Sequence, residues 1–557
     1  MNNTFCVSDF GMVEGLFGID VKANTLAVKA AVEACASNGG GEVLFPKGCW
    51  RTGPIHLRSH VKLNLGEGAY VVFEDDPKMC LPLVKTTWEG VECMNYSPLV
   101  YAFECEDVGI IGKGTLAPKM TKWREWFVGG EIHRKVRGEI YDMMSRGEPV
   151  ENRILAERGG YFRPQLLQFN RCRNVILKDF CIRESPFWTI HIFRCNGVEI
   201  RGLDSRALGH NSDGINLEKT KNVIVRDCVL QQGDDGIVIK GGRNRDGWDG
   251  ESSSENIDIE NVNLTEGHGL LVVGSELSGG VRNVRMRKCH LDGSSFALFA
   301  IKTNLRRGGF VKDIQMDDCR CELVKEAVRI TTDSSMYPYA TYDVRRTDID
   351  GITIRNCSLG KADILCMITG DEECPVRNLH IENLKAELLG TEEMICGNAP
   401  GFEAIHCGAD KVSKEEAAWD WDVPKPWYAE YDAPAEFPTP EALAAAGDVG
   451  DFKLTFRARN IAKDAVLSIR SAVSVALSGE AGAVGPHKPM YDAINHNAEW
   501  QEFEIIVHRK AISVKINDFE VVCNRRLGAD FPLKGALTLS GVEIDEAVLS
   551  LITGQKY

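Results

Sequence analysis

Three aspartates and a histidine are the residues of this chain best placed to do chemistry together. They stand in Asn211-Ser212-Asp213-Gly214, Gly233-Asp234-Asp235-Gly236 and Gly267-His268-Gly269, with Ile301-Lys302-Thr303 following. Crowded carboxylates beside an imidazole suit acid–base cleavage of a glycosidic bond. One carboxyl must hold a proton for the leaving oxygen while another takes a proton from water. Asp234 follows Asp213 by 21 positions, which is about one coil of a parallel β-solenoid, so the carboxylates are expected on neighbouring rungs ~5 Å apart. Like charges at that range raise at least one pKa and leave a proton donor near neutral pH. Each motif alone has a plainer meaning. Asp-Gly pairs are ordinary turn residues, Gly-His-Gly is often a tight turn, and clustered acids also bind calcium. No Asp-x-Asp-x-Asp-Gly ligand loop accompanies them. Their joint order and spacing favour a catalytic reading with no metal and no cofactor.

The elements that must hold these residues are legible as a repeat. From residue 174 one phrase recurs as Asn174-Val175-Ile176-Leu177, Asn222-Val223-Ile224-Val225, Asn256-Ile257-Asp258-Ile259, Asn283-Val284-Arg285-Met286, Asp313-Ile314-Gln315-Met316, Gly351-Ile352-Thr353-Ile354 and Asn378-Leu379-His380-Ile381. Alternation within each phrase turns one face inward, and Cys181, Cys228, Cys289, Cys319 and Cys357 follow at nearly fixed offset, as an inward stack would require. The intervals are too rich in turn residues for βαβ crossover helices. The fold class predicted is all-β, a right-handed parallel β-helix over residues 1–418. An amphipathic helix from Asn24-Thr25 to Cys35, stopped by Gly39-Gly40-Gly41, caps its open end. A charged, partly helical segment over 129–160 interrupts the repeat and is expected to be a lid or a dimer contact. Residues 419–449, rich in Trp, Asp, Pro and Ala, read as a linker. In 450–557, cleanly alternating stretches such as Phe452–Ala458 and Phe503–Val507 predict a small antiparallel β-sandwich.

Composition narrows the function classes. Of 557 residues, 44% are hydrophobic and 26% charged, the balance of an ordinary folded protein, and the net charge of −15 argues against a nucleic-acid partner. An anionic substrate would need local Lys and Arg. The 19 cysteines are an odd number without paired CxxC spacing, so most are expected as free core thiols rather than disulfides or zinc ligands. No apolar run approaches a membrane span and no basic-then-apolar leader opens the segment Met1–Asp9, so the expectation is a cytoplasmic protein with no membrane partner.

Taken together, residues 5–395 resemble the polygalacturonases, glycoside hydrolase family 28. The resemblance rests on Asn211-Ser212-Asp213-Gly214, Gly233-Asp234-Asp235-Gly236 and Gly267-His268-Gly269. It extends through Gly274-Ser275-Glu276-Leu277-Ser278-Gly279-Gly280 and Ser185-Pro186-Phe187-Trp188-Thr189-Ile190-His191, which look like the family's bacterial exo-type members. It implies inversion, with Asp234 as general acid, Asp213 and Asp235 holding and deprotonating the water, and His268 tuning the acid. It also implies an Arg-x-Lys grip on a uronate carboxylate, where this chain has Ala300-Ile301-Lys302. The lysine is present and the arginine absent, and a bidentate clamp is thereby lost. Arg306 or Arg307 could replace it. Asn211, Arg163, Trp188, Arg243 and Trp248 are further candidates for sugar contacts. The expected activity is exo-acting hydrolysis of galacturonate-containing pectin oligosaccharides. The alternatives are a hydrolase of a rhamnogalacturonan or side-chain sugar, a non-catalytic carbohydrate-binding β-helix, and a β-eliminating lyase. The phrase Glu499-Trp500-Gln501-Glu502-Phe503-Glu504 resembles jelly-roll modules of carbohydrate-active enzymes, so the C-terminal sandwich is expected to bind sugar or, preferably, to support homo-oligomer formation.

Overall fold

A computed structural model of the chain describes residues 3–127, 129–332, 345–417, 429–508, 510–527 and 530–555. It divides into two compact units, one of residues 1–15, 19–118 and 125–421, the other of 16–18, 119–124 and 422–557. In the first unit the recurring phrase forms one 13-stranded ladder running from Thr4–Cys6 to Glu403–Ile405, every described pairing in it parallel. Two further lines of parallel strands complete each coil, and they fuse where His290–Lys302, Arg320–Thr331 and Ser358–Thr369 run long enough to serve both. The all-β class with mainly parallel sheets is thus as predicted.

The leading Asn of the phrase has a local cause. Asn174, Asn222, Asn256, Asn283 and Asn378 all take positive φ, between 50° and 59°, a conformation asparagine tolerates better than other side chains. Their amides then stack along the solenoid. Asn222 Nδ2 donates to Asn196 Oδ1 (2.7 Å), Asn256 to Asn222 (3.0 Å) and Asn283 to Asn256 (2.7 Å). Behind them Val223 and Val225 point into the core.

Four of the five predicted stacking cysteines, Cys228, Cys289, Cys319 and Cys357, are buried at the turn ahead of the next strand. Cys181 departs from the line. It pairs with Asp204, the first residue after the turn, and is half-buried, while Phe180 fills the inward slot. A larger apolar side chain serves that slot equally well, so the offset of one residue was not constrained. Every cysteine whose placement is described is a free thiol.

The capping helix spans Val21–Ser37, one turn earlier than its sequence signals suggest, because Asp20 is its cap and accepts from the amides of Lys22 and Ala23. Asn24 is buried instead and bonds the backbones of Val13 and Arg51. The 129–160 segment supplies a helix, Glu131–Arg146, whose Val136, Ile140, Tyr141 and Met144 turn inward. They pack with Trp88, Val91 and Cys93 of a hairpin (Val84–Trp88 with Val91–Asn95), with Leu155 and Phe162, and with Phe187 and Trp188 of the solenoid. The segment is a wall built onto its own chain.

In the second unit all described strand pairings are antiparallel. A seven-stranded sheet centres on Glu543–Gln555 and Phe452–Arg459, and a three-stranded sheet has Val466–Ile469 in the middle. Of the stretch read as a linker, 419–449, residues 419–428 lie outside the described residues. The rest of it is structured: Ala429–Tyr431 and Ala435–Phe437 pair with Glu543–Gln555, and Pro440–Ala444 is a helix capped by Thr439. Proline at the first helical turn and alanines after it are helix-forming in that setting, which composition alone disguised.

Candidate active site

The acids sit where one line of parallel strands begins each coil: Ile215–Glu218, Ile237–Lys240, Gly269–Gly274 and the second half of His290–Lys302. The register puts Ile215 beside Ile237 and Ile237 beside Leu271. Asp213 therefore lies over Asp235, and Asp234 over His268, rather than Asp213 over Asp234. Backbone bonds hold this stack: Gly214 N donates to the Asp235 carbonyl (2.9 Å), Gly236 N to that of Gly269 (2.8 Å) and His268 N to that of Asp234 (2.9 Å). Two motif glycines answer to the close approach, since a Cβ on Gly214 would stand 2.5 Å from the Gly236 oxygen and one on Gly233 2.2 Å from the Gly209 oxygen.

His268 Nδ1 is 3.0 Å from Asp234 Oδ1, which also accepts from the Asp235 amide at 2.9 Å. Lys302 Nζ donates to Asp235 Oδ2 at 2.8 Å. The Asp213 side chain is only 5% exposed, and Lys240 Nζ stands 3.5 Å from it. Burial, reinforced by the charges of Asp234 and Asp235 and opposed by Lys240 and Lys302, raises the Asp213 pKa well above the usual carboxylate range. Burial is the first cause of that rise and the like charges a smaller one, whereas the motifs alone point to like-charge crowding. Asp234, Asp235 and His268 also offer ligand atoms within 4.8 Å of one another, the only grouping among the described residues close enough to share a cation; Lys302 already occupies one side of it.

Beneath the acids lies a buried ionic network that sequence reading passed over. Lys240 donates to Glu276 (3.0 Å), Arg243 to the other Glu276 oxygen (2.7 Å) and to the Glu89 carbonyl (2.7 Å). Burial would raise the Glu276 pKa, but Lys240, Arg243 and Arg307 overcome it and hold the carboxyl far below its usual range. Burial would likewise lower the Lys240 pKa, and Glu276 and Asp213 reverse it. The Trp188 ring lies under Lys240, 4.0 Å from Nζ.

The other predicted contacts separate into two groups. Arg243 and Arg307, expected to reach sugar, are fully buried; Arg307 is bound to the Ser275 carbonyl (2.8 Å) and Asn244 (2.8 Å). Arg163 is also buried, donating to the carbonyls of Pro186 and His210 and to Asn211 Oδ1 (3.1 Å). It therefore holds Asn211, whose φ of 56° shapes the turn into Asp213. Trp188 is buried in the wall, and Trp248 Nε1 donates to the Arg307 carbonyl (2.7 Å). Arg306 is exposed on a turn. Lys302 meets the acids through its bond to Asp235. Ala300 lies on an apolar floor with Val238, Val272 and Ala297, flanked by Phe296.

A parallel solenoid carrying stacked carboxylates with an imidazole is the architecture of a carbohydrate-cleaving hydrolase, and comparison with known proteins agrees. The profile of glycosyl hydrolases family 28 matches residues 150–408. An exopolygalacturonase from Thermotoga maritima, known by its crystal structure, is 32% identical, with 74% of this chain and 91% of that one superposed at a TM-score of 0.64. A probable polygalacturonase of Vitis vinifera is 24% identical over 413 residues, 72% of this chain and 77% of its own length. The exo-poly-alpha-D-galacturonosidase of Dickeya chrysanthemi is 23% identical over 57% of this chain and 56% of its own. The chain belongs to glycosyl hydrolases family 28 and is a glycoside hydrolase.

Proposed function

We propose that this enzyme hydrolyses galacturonate-containing pectin oligosaccharides from one chain end, with inversion and on a right-handed coil. The observation that carries the reading is the stack of Asp213, Asp234, Asp235 and His268 on adjacent rungs, with Lys302 beside it. The raised pKa of Asp213, caused first by its burial, favours a protonated carboxyl beside Asp234 and Asp235. Asp234 delivers the proton to the leaving oxygen, because it is the acid most open to solvent, at 20% exposure, and is oriented by His268. Asp213 and Asp235, on adjacent rungs, hold the attacking water and take its proton once Asp213 has passed its own to Asp234. This is the two-carboxyl division of labour that inversion requires.

The end-on mode is supported by the wall. Trp188 precedes the coil that carries Asp213, and the hairpin and helix bury it, which favours a site closed on that side. The polygalacturonase and exopolygalacturonase relatives support the substrate class. A second reading, hydrolysis of another plant glycoside, is favoured by Ala300 and its apolar floor. The two C-terminal antiparallel sheets suit an accessory β-sandwich. Incubation with galacturonate oligomers and a panel of neutral aryl glycosides, followed by product chromatography and NMR of the first-formed anomer, tests the proposal. Release of galacturonate monomer with inverted configuration, abolished in Asp234→Asn, is expected. Turnover of a neutral glycoside alone would overturn the substrate.

A further inference from the structure

We infer that Arg329 supplies the substrate-carboxylate grip missing at Ala300, a role that rests on the galacturonate reading above. Along the outward line of the catalytic strands the register runs Val238, Val272, Ala300, Arg329. The first three are apolar and buried, so the first cation met on leaving the acids along this line is Arg329, one rung beyond Ala300. Lys325 shares the Phe296 ring, 5.4 Å from its centroid, but has no fork for two-point contact. Lys302 is bonded to Asp235, and Arg307 is buried against Ser275 and Asn244.

Arg329 is held ready. Its guanidinium lies over Phe296, 4.9 Å from the ring centroid, and its Nη1 donates to both oxygens of buried Glu326 at 2.9 and 2.8 Å. Nε and Nη2 have no protein partner among the described residues, and the side chain is 33% exposed. One edge of the fork is thus fixed and the other presented, the arrangement for planar two-point recognition of a carboxylate. The platform is tied to the chemistry, because the Phe296 amide donates to the His268 carbonyl at 3.1 Å. Ala300 becomes part of the device. A methyl group leaves room for the sugar acid to reach across to the next rung, about 4.8 Å away, where a longer side chain would stand between.

The test compares kcat/KM of the wild type, Arg329→Gln and Arg329→Lys on trigalacturonate and on its methyl ester, with thermal melting as the fold control. Arg329→Gln is expected to lose roughly 10- to 100-fold on the acid, mostly in KM, and under about threefold on the ester. Arg329→Lys keeps a charge beside Glu326 without the fork and is expected to fall between, which preserves the test if the Gln variant folds poorly. Undiminished activity of Arg329→Gln on trigalacturonate, or equal losses on both substrates, would overturn the role while leaving the galacturonate reading intact. A wild type inactive on both galacturonates and active on a neutral glycoside would overturn that reading, and Arg329's role with it.

Discussion

The two sides of the acid cluster are built on opposite principles. Beneath the acids and toward the N-terminal coils, ionic groups are paired and largely buried: Lys240 and Arg243 on Glu276, and Lys219 and Arg194 on Glu92. Toward the C-terminal coils the floor is apolar and small, and its cations, Lys302 and Arg329, are partly exposed. Buried pairs are rigid because losing one partner strands the other, whereas exposed pairs contribute little stability. On the function proposed above, the closed side would act as the end-stop and the open side as the place where substrate chemistry is read. Stability should depend on the first and specificity on the second.

The sharpest test lies between the two sides. Asp234→Asn should lower kcat by about 10²–10⁴-fold with little change in melting temperature, measured by oligosaccharide turnover and by calorimetry. A large loss of stability instead would mean that the acid belongs to the wall.

Next in size is the contrast of Glu276→Gln with Lys302→Gln. The first leaves Lys240 and Arg243 buried without their anion and should destabilise by about 3–5 kcal/mol in urea unfolding. The second removes a partly exposed cation from Asp235, whose side chain is 5% exposed, and should destabilise less than the first while reducing kcat/KM. The Glu276 pKa is lowered in the folded protein, so its stabilisation is present above the unfolded value of 4.5 and lost as pH falls below it. The wild type should thus show an acid-side loss that Glu276→Gln lacks. Equal effects of the two substitutions on stability would erase the distinction between the sides.

Asp213 has the opposite sign. Its folded pKa is raised above 3.8, so the native state binds the proton more tightly, and its contribution to stability declines as pH rises from 3.8 through the folded value. Asp213→Asn should accordingly be inactive and more stable near neutral pH, with the gain vanishing below pH 3.8. Loss of stability at neutral pH would assign Asp213 to the paired network rather than to the strained centre.

The solenoid and the grouping of the acids were legible in the sequence, whereas the division between the two sides was not, and the reasons are physical. The period of the Asn phrase and the order of the acid motifs determine the rungs, because a solenoid repeats one local conformation. Its exact register does not follow, since loop lengths vary: Asp213 stacks on Asp235, and Ala300 on Arg329, only once strand pairing is known. The Glu276 network joins Glu89, Lys240 and Arg243, and contacts across so many residues leave no periodic trace. Helical character in 129–160 was visible from charge pattern, but the partner of its apolar face was not.

The smallest effect tests whether the wall is as passive as this comparison makes it. Tyr141 of the wall helix donates to Glu89 Oε2 at 2.6 Å, and the Arg243 guanidinium lies 4.8 Å from its ring centroid. Tyr141→Phe removes the hydroxyl and keeps the packing, so Glu89 loses one donor while Arg243 and Arg137 remain near it. A destabilisation of about 1 kcal/mol is expected, with kcat/KM and the length of the released product unchanged. Release of longer fragments from the same oligomers would show that the wall's position is set by this one hydrogen bond, and that the blind end is adjustable rather than fixed.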